Sequence, residues 1–467
     1  MTTNAKDVVV IGGGIVGTSI LRLLSFYDIN VCLIEKQPDV CEGSSKANSG
    51  IIHTGFDARP DSIEALCLRE SRDLWPQLVE DLKIPFVECG AVMVATTEEE
   101  KEIIFTKYIP NAKANDVKVS WLSKEEVLAY NPAVSPSTVG GLLIPGEAIA
   151  DPFWATRAFA EVAVLNGAEV KLNAGVTDIT EQNDSFRITL ETGEELETNF
   201  VINAAGLWSD EIARMIGDDS FSITPRKGQF ILTEEQIDIS QIILPVPTQK
   251  SKGTLVSPVV FGGFLLGPTA EDQEDKWDRG TTPEGLDLVL KGCEKLVPGA
   301  ANCESIRQFA GVRAVCSEGD FVIRSSEVNK RLIHAAGIRS TGVSSSPGIA
   351  QFVVERLSEA GLSLQYKESY TTSLPDQFND AQDTGEIVCL CRSISKREIT
   401  NAIQNPLSVL TLDGVKRRTG ATLGECQGNL CISKIVDLLQ DTEQQTSITK
   451  GLQQSYLACK GGINHEL

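Results

Sequence analysis

Residues 7–35 read DVVVIGGGIVGTSILRLLSFYDINVCLIE, and this stretch decides the fold. Residues 8–11 are an unbroken run of valine and isoleucine, short enough for a buried strand of a parallel sheet. The glycine-rich residues 12–17 follow, and the apolar spacing of residues 18–24 predicts a helix. A second apolar run at residues 31–34 predicts another strand, so the order is strand, turn, helix, strand.

The glycines of the turn have the spacing G-x-G-x-x-G, at Gly12, Gly14 and Gly17. Gly12 permits the tight turn, Gly14 lets the backbone approach a pyrophosphate, and Gly17 lets helix and strand pack closely. Unpaired N–H groups at the start of the helix favour an anion. Glu35 ends the second strand, where its carboxylate would accept hydrogen bonds from ribose hydroxyls and disfavour a 2′-phosphate. The stretch therefore predicts a dinucleotide site but does not decide between FAD and NAD.

Composition and charge narrow the class of protein. With 467 residues, 42% of them hydrophobic, the chain suits an α/β protein of two or three domains. The formal net charge of −22 argues against nucleic acid as a partner, because phosphate neutralisation needs an excess of lysine and arginine. No apolar run has the length of a membrane span, and the opening residues MTTNAKD have no apolar signal core. We therefore expect a cytoplasmic protein, with peripheral association to the inner face of a membrane left open.

The rest of the chain predicts an α/β fold with a second, inserted sheet. Residues 222–325 alternate between apolar and polar side chains, which is typical of antiparallel strands, and residues 331–357 return to the strand–glycine–helix pattern. The predicted boundaries are residues 1–90, 145–221 and 326–370 for a Rossmann-like nucleotide-binding domain, 91–144 and 222–325 for the inserted substrate domain, 371–385 for a linker, 386–440 for a small third domain and 441–467 for a tail.

Three segments together resemble the FAD-dependent family of D-amino-acid oxidase type. They are the glycine motif with Glu35, residues 201–209 (VINAAGLWS) and residues 336–343 (AGIRSTGV), which occur in family order. The resemblance covers about residues 5–360, and it is greatest to the branch of glycerol-3-phosphate dehydrogenases, oxidases and 2-hydroxyglutarate dehydrogenases. It implies that the nucleotide is FAD, bound across the Rossmann-like domain with its flavin ring facing the inserted sheet.

The same resemblance assigns further residues to the cofactor. It implies that one serine- and glycine-rich segment lines the pyrophosphate and flavin, that Gly206 closes over the adenosine, and that a second loop approaches the far end of the ring. The segment contributes Ser44, Ser45, Asn48, Ser49 and Gly50, and the second loop contributes Gly337, Gly342 and Val343. An ordinary turn is the alternative for each glycine.

Four residues are candidates for the substrate pocket. His53 can accept a hydroxyl proton while a hydride leaves the same carbon, although a structural histidine is the alternative. Arg313 follows a small-residue turn, and its planar fork suits phosphate or carboxylate; a surface ion pair is the alternative. Lys252 and Ser340 match a lysine and a hydroxyl that the resemblance places near the substrate.

Four of the twelve cysteines form a separate set near the C-terminus. Cys389 and Cys391 precede Cys426 and Cys431, with 34 residues between the inner two. Four thiolates are what a [2Fe–2S] cluster requires. A four-cysteine zinc site and two disulfides remain alternatives, although zinc more often uses Cys-x-x-Cys and disulfides are disfavoured in a reducing compartment. Residues 386–439 resemble bacterioferritin-associated ferredoxin-like domains, which implies the cluster.

These features predict an FAD-dependent dehydrogenase that oxidises a small anionic 2-hydroxy compound. The expected substrate is sn-glycerol 3-phosphate, giving dihydroxyacetone phosphate, with electrons relayed through the cluster to a quinone or protein acceptor. The alternatives are a 2-hydroxyglutarate or amino-acid-type dehydrogenase, and an electron-transfer subunit of a larger flavoprotein complex. An NAD(P)-linked flavoprotein is a further possible partner. The basic residues 416–418 could dock an acidic protein or a membrane surface, or form a solvated turn.

Overall fold

The structure is a computed structural model that describes residues 5–233, 237–247, 253–375, 385–408 and 411–440. The predicted tail at residues 441–467 and part of the predicted linker lie outside these residues. Most of the described strands belong to two large sheets, and the predicted α/β class is confirmed.

The first sheet has eight strands and is built around the apolar run that opens the sequence. That run forms β1 (Lys6–Ile11), which pairs in parallel with a strand on either side. Residues Val8 to Val10 have no exposed surface, as expected for a central strand covered on both faces. The other strands are β2 (Val31–Ile34), β9 (Glu169–Lys171), β10 (Val176–Gln182), β11 (Ser185–Leu190), β12 (Glu195–Asn203), β19 (Val322–Ser325) and β20 (Leu332–Ala336).

Four helices accompany this sheet, and two of them begin at a capping side chain. Ser62 and Asp151 each accept hydrogen bonding from backbone N–H of the first turn of the helix that follows. The four helices are α1 (Ile15–Leu24), α2 (Ile63–Leu82), α6 (Pro152–Leu165) and α9 (Gly342–Glu359). Helix α1 packs against α6 and α9, and α9 also packs against α2.

The second sheet has nine strands and comes from the segment predicted to be inserted. It is not wholly antiparallel as predicted, because residues 242–245 pair in parallel with residues 91–94. Residues 86–95 form two separate strands, since the chain turns at Gly90 with a φ of +68°. The strands are β5 (Ala91–Ala95), β6 (Ser120–Ser123), β7 (Gly140–Ile144), β13 (Ile223–Thr233), β14 (Ile242–Pro245), β15 (Leu255–Pro258), β16 (Phe264–Gly267), β17 (Glu271–Asp272) and β18 (Ser305–Cys316).

Smaller elements complete the described chain. A three-stranded sheet consists of β3 (Ile51–Ile52), β4 (Phe86–Val87) and β8 (Ala148–Ala150). The C-terminal domain consists of β21 (Ile387–Cys389), β22 (Ile394–Ser395), α10 (Lys396–Gln404), α11 (Leu412–Thr419) and α12 (Ile432–Gln440). The remaining helices are α3 (Glu98–Ile103), α4 (Ile109–Ala114), α5 (Lys124–Tyr130), α7 (Ser209–Met215) and α8 (Pro283–Leu296). In the described part of the chain, no helix combines the length and the apolar character that crossing a bilayer requires.

Candidate functional site

A cavity of about 770 Å³ is lined by residues of both large sheets and gathers most of the residues that the sequence singles out. Fourteen of them line it: Gly12, Gly14, Glu35, Ser44, Ser45, Asn48, Ser49, His53, Gly206, Arg313, Gly337, Ser340, Gly342 and Val343. Gly17 and Gly50 are not part of this lining. Lys252 lies outside the described residues.

The glycine turn is packed as tightly as its motif predicts. A Cβ at Gly17 would lie 1.9 Å from the carbonyl oxygen of Gly12, so helix α1 could not approach β1 with any side chain there. Gly12 has a φ of +113°, and its own Cβ would meet the carbonyl oxygen of Ala204 at 2.4 Å. Gly17 therefore acts through packing, and Gly12 and Gly14 leave bare backbone at the cavity wall.

Glu35 fixes the turn through its carboxylate. Its Oε2 accepts a 2.7 Å hydrogen bond from the Gly13 N–H, and its Oε1 accepts one of 2.8 Å from the Gln37 N–H. Burial raises the pKa of this carboxyl, and the two backbone donors oppose that rise. These two hydrogen bonds hold the Glu35 side chain at the cavity wall and stabilise the turn at Gly13.

The segment of residues 44–50 joins the two large sheets. The Ser45 hydroxyl accepts from the N–H of Ile15 at the start of α1 (2.9 Å), and the Ser44 hydroxyl donates to the carbonyl oxygen of Val312 in β18 (2.5 Å). Asn48 donates to the Ser45 carbonyl oxygen (2.7 Å) and accepts from the Gly50 N–H (2.9 Å). Ser44, Ser45 and Asn48, which the resemblance assigns to the cofactor, are therefore already held in place by hydrogen bonds within the protein.

His53 follows β3 and forms a pair with a buried carboxylate. Its Nδ1 lies 2.8 Å from Oε2 of Glu147, and the other oxygen, Oε1, accepts from the N–H and the hydroxyl of Thr54 (2.7 and 2.8 Å). The Glu147 side chain has no exposed surface. This arrangement fixes the imidazole plane and favours the tautomer with hydrogen on Nδ1, which leaves Nε2 free to accept a proton.

Glu147 is a site residue that the sequence reasoning missed. A signal was present, because it is the one charged side chain in the apolar stretch of residues 141–150, GLLIPGEAIA. A carboxylate at such a position is costly to bury unless it is paired.

Arg313 brings a positive charge into the cavity and forms no ion pair with a carboxylate among the described residues, although the charge of Asp272 acts on it. Its Nη2 donates to the carbonyl oxygen of Thr269 (2.6 Å), and its Nε has no hydrogen-bond partner among the described residues. Burial lowers the pKa of Arg313 to about 10. The neighbouring cations Arg226 and Lys227 are instead paired, with Asp272 and Asp278. The surface ion pair considered for Arg313 is therefore wrong, and the guanidinium is available to an anion.

The four C-terminal cysteines lie in two close pairs. Cys391 and Cys426 lie close enough to shift the pKa of each other's thiol, and the Cys389 thiol likewise helps to raise the pKa of Cys431, which burial raises most. The backbone N–H groups of Leu430, Gly428 and Asn429, together with Cys391, lower the pKa of Cys426. In the described chain, no three cysteine, histidine or carboxylate side chains converge closely enough to hold a single metal ion. Two pairs with N–H donors suit a two-iron cluster with four thiolate ligands.

The C-terminal domain is joined to the nucleotide-binding domain by buried ion pairs. Arg418 contacts both carboxylate oxygens of Asp39 at 2.6 and 3.0 Å, and Arg417 contacts Glu42 at 2.5 Å and Asp39 at 3.1 Å. All four side chains are at most 3% exposed. The prediction that residues 416–418 dock a partner or form a solvated turn is therefore wrong, since they belong to α11 and Arg417 and Arg418 bind this chain's own acidic residues. We call these four residues the interdomain ion-pair cluster.

A glycine-cradled cavity holding a histidine–carboxylate pair, beside a four-cysteine domain, defines a flavin-dependent oxidoreductase with an iron–sulfur domain. The chain belongs to the FAD dependent oxidoreductase family, whose model matches residues 7–356, and residues 387–441 match the BFD-like [2Fe-2S] binding domain. FAD and a [2Fe–2S] cluster are its cofactors. The volume of the cavity and its bare glycine backbone fit the first, and the paired thiols fit the second.

Particular relatives share most of the chain. It is 34% identical to the glycerol 3-phosphate dehydrogenase of Caloramator mitchellensis, over 97% of this chain and 98% of the relative. It is 33% identical to the glycerol 3-phosphate oxidase of Mycoplasma genitalium, over 75% of this chain and 94% of the relative. Among solved structures, the dithionite-reduced L-α-glycerophosphate oxidase of Mycoplasma pneumoniae with FAD bound matches with a TM-score of 0.76 at 30% identity, covering 80% of this chain and 99% of that one.

The interdomain ion-pair cluster yields a stability prediction. Replacing Arg418 with alanine leaves Asp39 buried beside Arg417 alone, and we expect a loss of about 3–5 kcal/mol in the free energy of unfolding of the C-terminal domain. Urea unfolding followed by circular dichroism and visible absorbance measures the loss. The matched control is Lys434→Ala, which removes an exposed ion pair with Glu386 in the same domain and should cost less than about 1 kcal/mol. Equal unfolding midpoints for the two variants would contradict the assignment.

Proposed function

We propose that this chain is an FAD-dependent dehydrogenase that oxidises sn-glycerol 3-phosphate to dihydroxyacetone phosphate. The observation that carries the proposal is that the Arg313 guanidinium, which forms no ion pair among the described residues, lines the same cavity as His53, whose ring is paired with Glu147. The first is an anion receptor and the second a proton acceptor, so the cavity suits a small alcohol that bears an anionic group. The similarity to glycerol 3-phosphate dehydrogenases and oxidases supports phosphate as that group.

FAD would be held along the glycine turn, Glu35 and the segment of residues 44–50, with Gly206 at the adenosine and residues 337–343 at the far end of the ring. When bound, FAD supplies a two-electron acceptor for the hydride of the substrate carbinol carbon. The bare backbone at Gly12 and Gly14 would receive the pyrophosphate at the start of α1.

The side chains of the cavity accept the substrate proton and bind the substrate phosphate. Nε2 of His53 accepts the hydroxyl proton of the substrate, and Glu147 stabilises the imidazolium that results. Arg313 binds the phosphate and thereby fixes which carbon faces the cofactor, with the exposed Ser340 hydroxyl available to a second substrate oxygen. Lys252 is proposed as a further contact of the substrate phosphate.

The C-terminal domain supports a proposal for where the electrons go after they reach the flavin. We propose that its [2Fe–2S] cluster passes them singly to a quinone or protein acceptor, since a flavin that reduces oxygen directly would need no relay. An NAD(P)-linked flavoprotein is one such acceptor. The predicted location, in the cytoplasm or peripheral to the inner face of a membrane, suits either type of acceptor.

The proposed reaction is tested by mixing the anaerobic holoprotein with sn-glycerol 3-phosphate in a stopped-flow spectrometer. We expect rapid bleaching of the oxidised flavin band, because the substrate is a hydride donor seated by Arg313. 2-Hydroxyglutarate is the parallel arm, since the alternative is a dehydrogenase of 2-hydroxy acids. If only 2-hydroxyglutarate bleaches the flavin, the substrate is 2-hydroxyglutarate and not sn-glycerol 3-phosphate. If the flavin stays oxidised with both compounds, the chain is an electron-transfer subunit.

Arg313 is expected to control the affinity for substrate. Replacing it with alanine removes the charge-assisted hydrogen bonds to phosphate and should lower kcat/KM by about 100-fold or more, mostly through KM, while Arg313→Lys retains part of the activity. The control is Arg226→Gln, because Arg226 lies beside Arg313 on the facing strand but is paired with Asp272 outside the cavity. Steady-state kinetics with a dye acceptor distinguish the variants, and an unchanged KM in Arg313→Ala would contradict the role.

Glu147 is expected to act only through His53. Replacing His53 with glutamine should lower kcat by about 10²–10⁴-fold, and Glu147→Gln by about tenfold or more with KM nearly unchanged. Because the two residues work as a unit, the double variant should be no slower than His53→Gln alone. Additive losses in this double-mutant cycle would show that Glu147 contributes to folding or to substrate binding independently of His53.

A further inference from the structure

A second cavity of about 880 Å³ lies between the flavin-lining segment, the second sheet and the C-terminal domain. The two cavities adjoin, since Ala47, Asn48, Ser49 and Arg279 line both. Cys391, a predicted cluster ligand, also lines the second cavity. Its volume is within the range of small-molecule sites, and no step of the proposed reaction uses it.

The walls of this cavity are strongly basic. Eight lysine or arginine side chains line it, against three carboxylates, Asp151, Glu398 and Asp413. Three further carboxylates, Asp39, Glu42 and Glu161, form ion pairs with these cations from behind the wall. When all these groups are ionised, the cations exceed the carboxylates by two, so the wall carries a net charge of +2.

Several donors in the wall have no acceptor. Arg157, Arg417 and Arg418 are each at most 6% exposed, yet Nε and Nη2 of Arg157, Nε and Nη1 of Arg417, and Nε of Arg418 lack hydrogen-bond partners in the described chain. Arg279, which lines both cavities, adds an Nε and an Nη2 without partners. These donor atoms are enclosed by protein, as is the Glu161 carboxylate that pairs with Arg157 and Arg418, so their charge acts on the cavity without direct contact. An anion in the cavity would offset that charge.

From this geometry we propose that the second cavity binds a phosphate monoester as its dianion. A phosphate monoester carries nearly two negative charges at neutral pH, which matches the charge excess, whereas a single carboxylate would leave one cation unbalanced. Aromatic side chains, among them Trp154, Phe261 and Phe309, line the same cavity and provide an apolar surface for an organic group. The site is distinct from the substrate cavity, because it contains neither His53 nor Arg313.

The proposal is tested by equilibrium dialysis of the FAD-loaded, cluster-containing holoprotein with radiolabelled inorganic phosphate, and in parallel with adenosine 5′-monophosphate. We expect two phosphate sites per chain, one lost in Arg313→Ala and the other weakened at least tenfold in Arg307→Gln. Arg307 lines only the second cavity, where it contacts Gln427. Arg307→Lys should retain binding, and Lys291→Gln, on the exposed face of α8, should have no effect.

The outcomes separate this proposal from the proposed function. Loss of all phosphate binding in Arg313→Ala would overturn the second site, and a single site lost only in Arg307→Gln would support it while contradicting the anion role of Arg313. Binding of adenosine monophosphate but not of inorganic phosphate would identify an organic ester as the occupant, and the reverse would identify the free anion. If Arg307→Gln does not retain FAD and cluster absorbance, the same dialysis is made with the native protein and with Arg307→Lys. Malonate, a dicarboxylate dianion, is then the competing probe. Malonate binding as tightly as phosphate would exclude a phosphate site.

Discussion

The interdomain ion-pair cluster is the constraint on which the rest of the molecule depends. Arg417 and Arg418 project from the C-terminal domain onto Asp39 and Glu42, which immediately precede the segment of residues 44–50. Buried ion pairs add little net stability compared with apolar packing, but they tolerate few geometries because each charge must be matched. The cluster therefore fixes the position of the iron–sulfur domain and one end of the segment of residues 44–50 together.

The chemistry of the first cavity depends on groups from three sheets that meet at its walls. The first sheet provides bare glycine backbone at one end, β18 of the second sheet provides Arg313, and the small third sheet provides His53 and Glu147 at neighbouring strand ends. None of these groups is adjacent in sequence to another, apart from those of the glycine turn. Each is held by hydrogen bonds to its own layer, so the site is preorganised before substrate arrives.

The features that could be predicted from the sequence are those whose interacting residues lie close together along the chain. The turn at Gly12, Gly14 and Gly17 was predictable because its strand, helix and acid lie within thirty residues. Glu147 was missed because its partner His53 is 94 residues away. Arg418 was misread because its partner Asp39 is 379 residues away, and a basic triplet alone resembles a solvated surface. The parallel pairing of β14 with β5 was likewise invisible, since alternation specifies which face of a strand is buried but not which strand lies beside it.

The central claim is that substrate oxidation and the iron–sulfur cluster are coupled within one chain, whose two domains are joined by buried ion pairs. Freeze-quench electron paramagnetic resonance tests it most directly, with the anaerobic holoprotein mixed with sn-glycerol 3-phosphate and frozen at successive times. The account predicts that the signal of the reduced [2Fe–2S] cluster appears after the flavin bleaches and at least as fast as steady-state turnover. A flavin that is fully reduced by substrate while the cluster stays oxidised throughout turnover would contradict it.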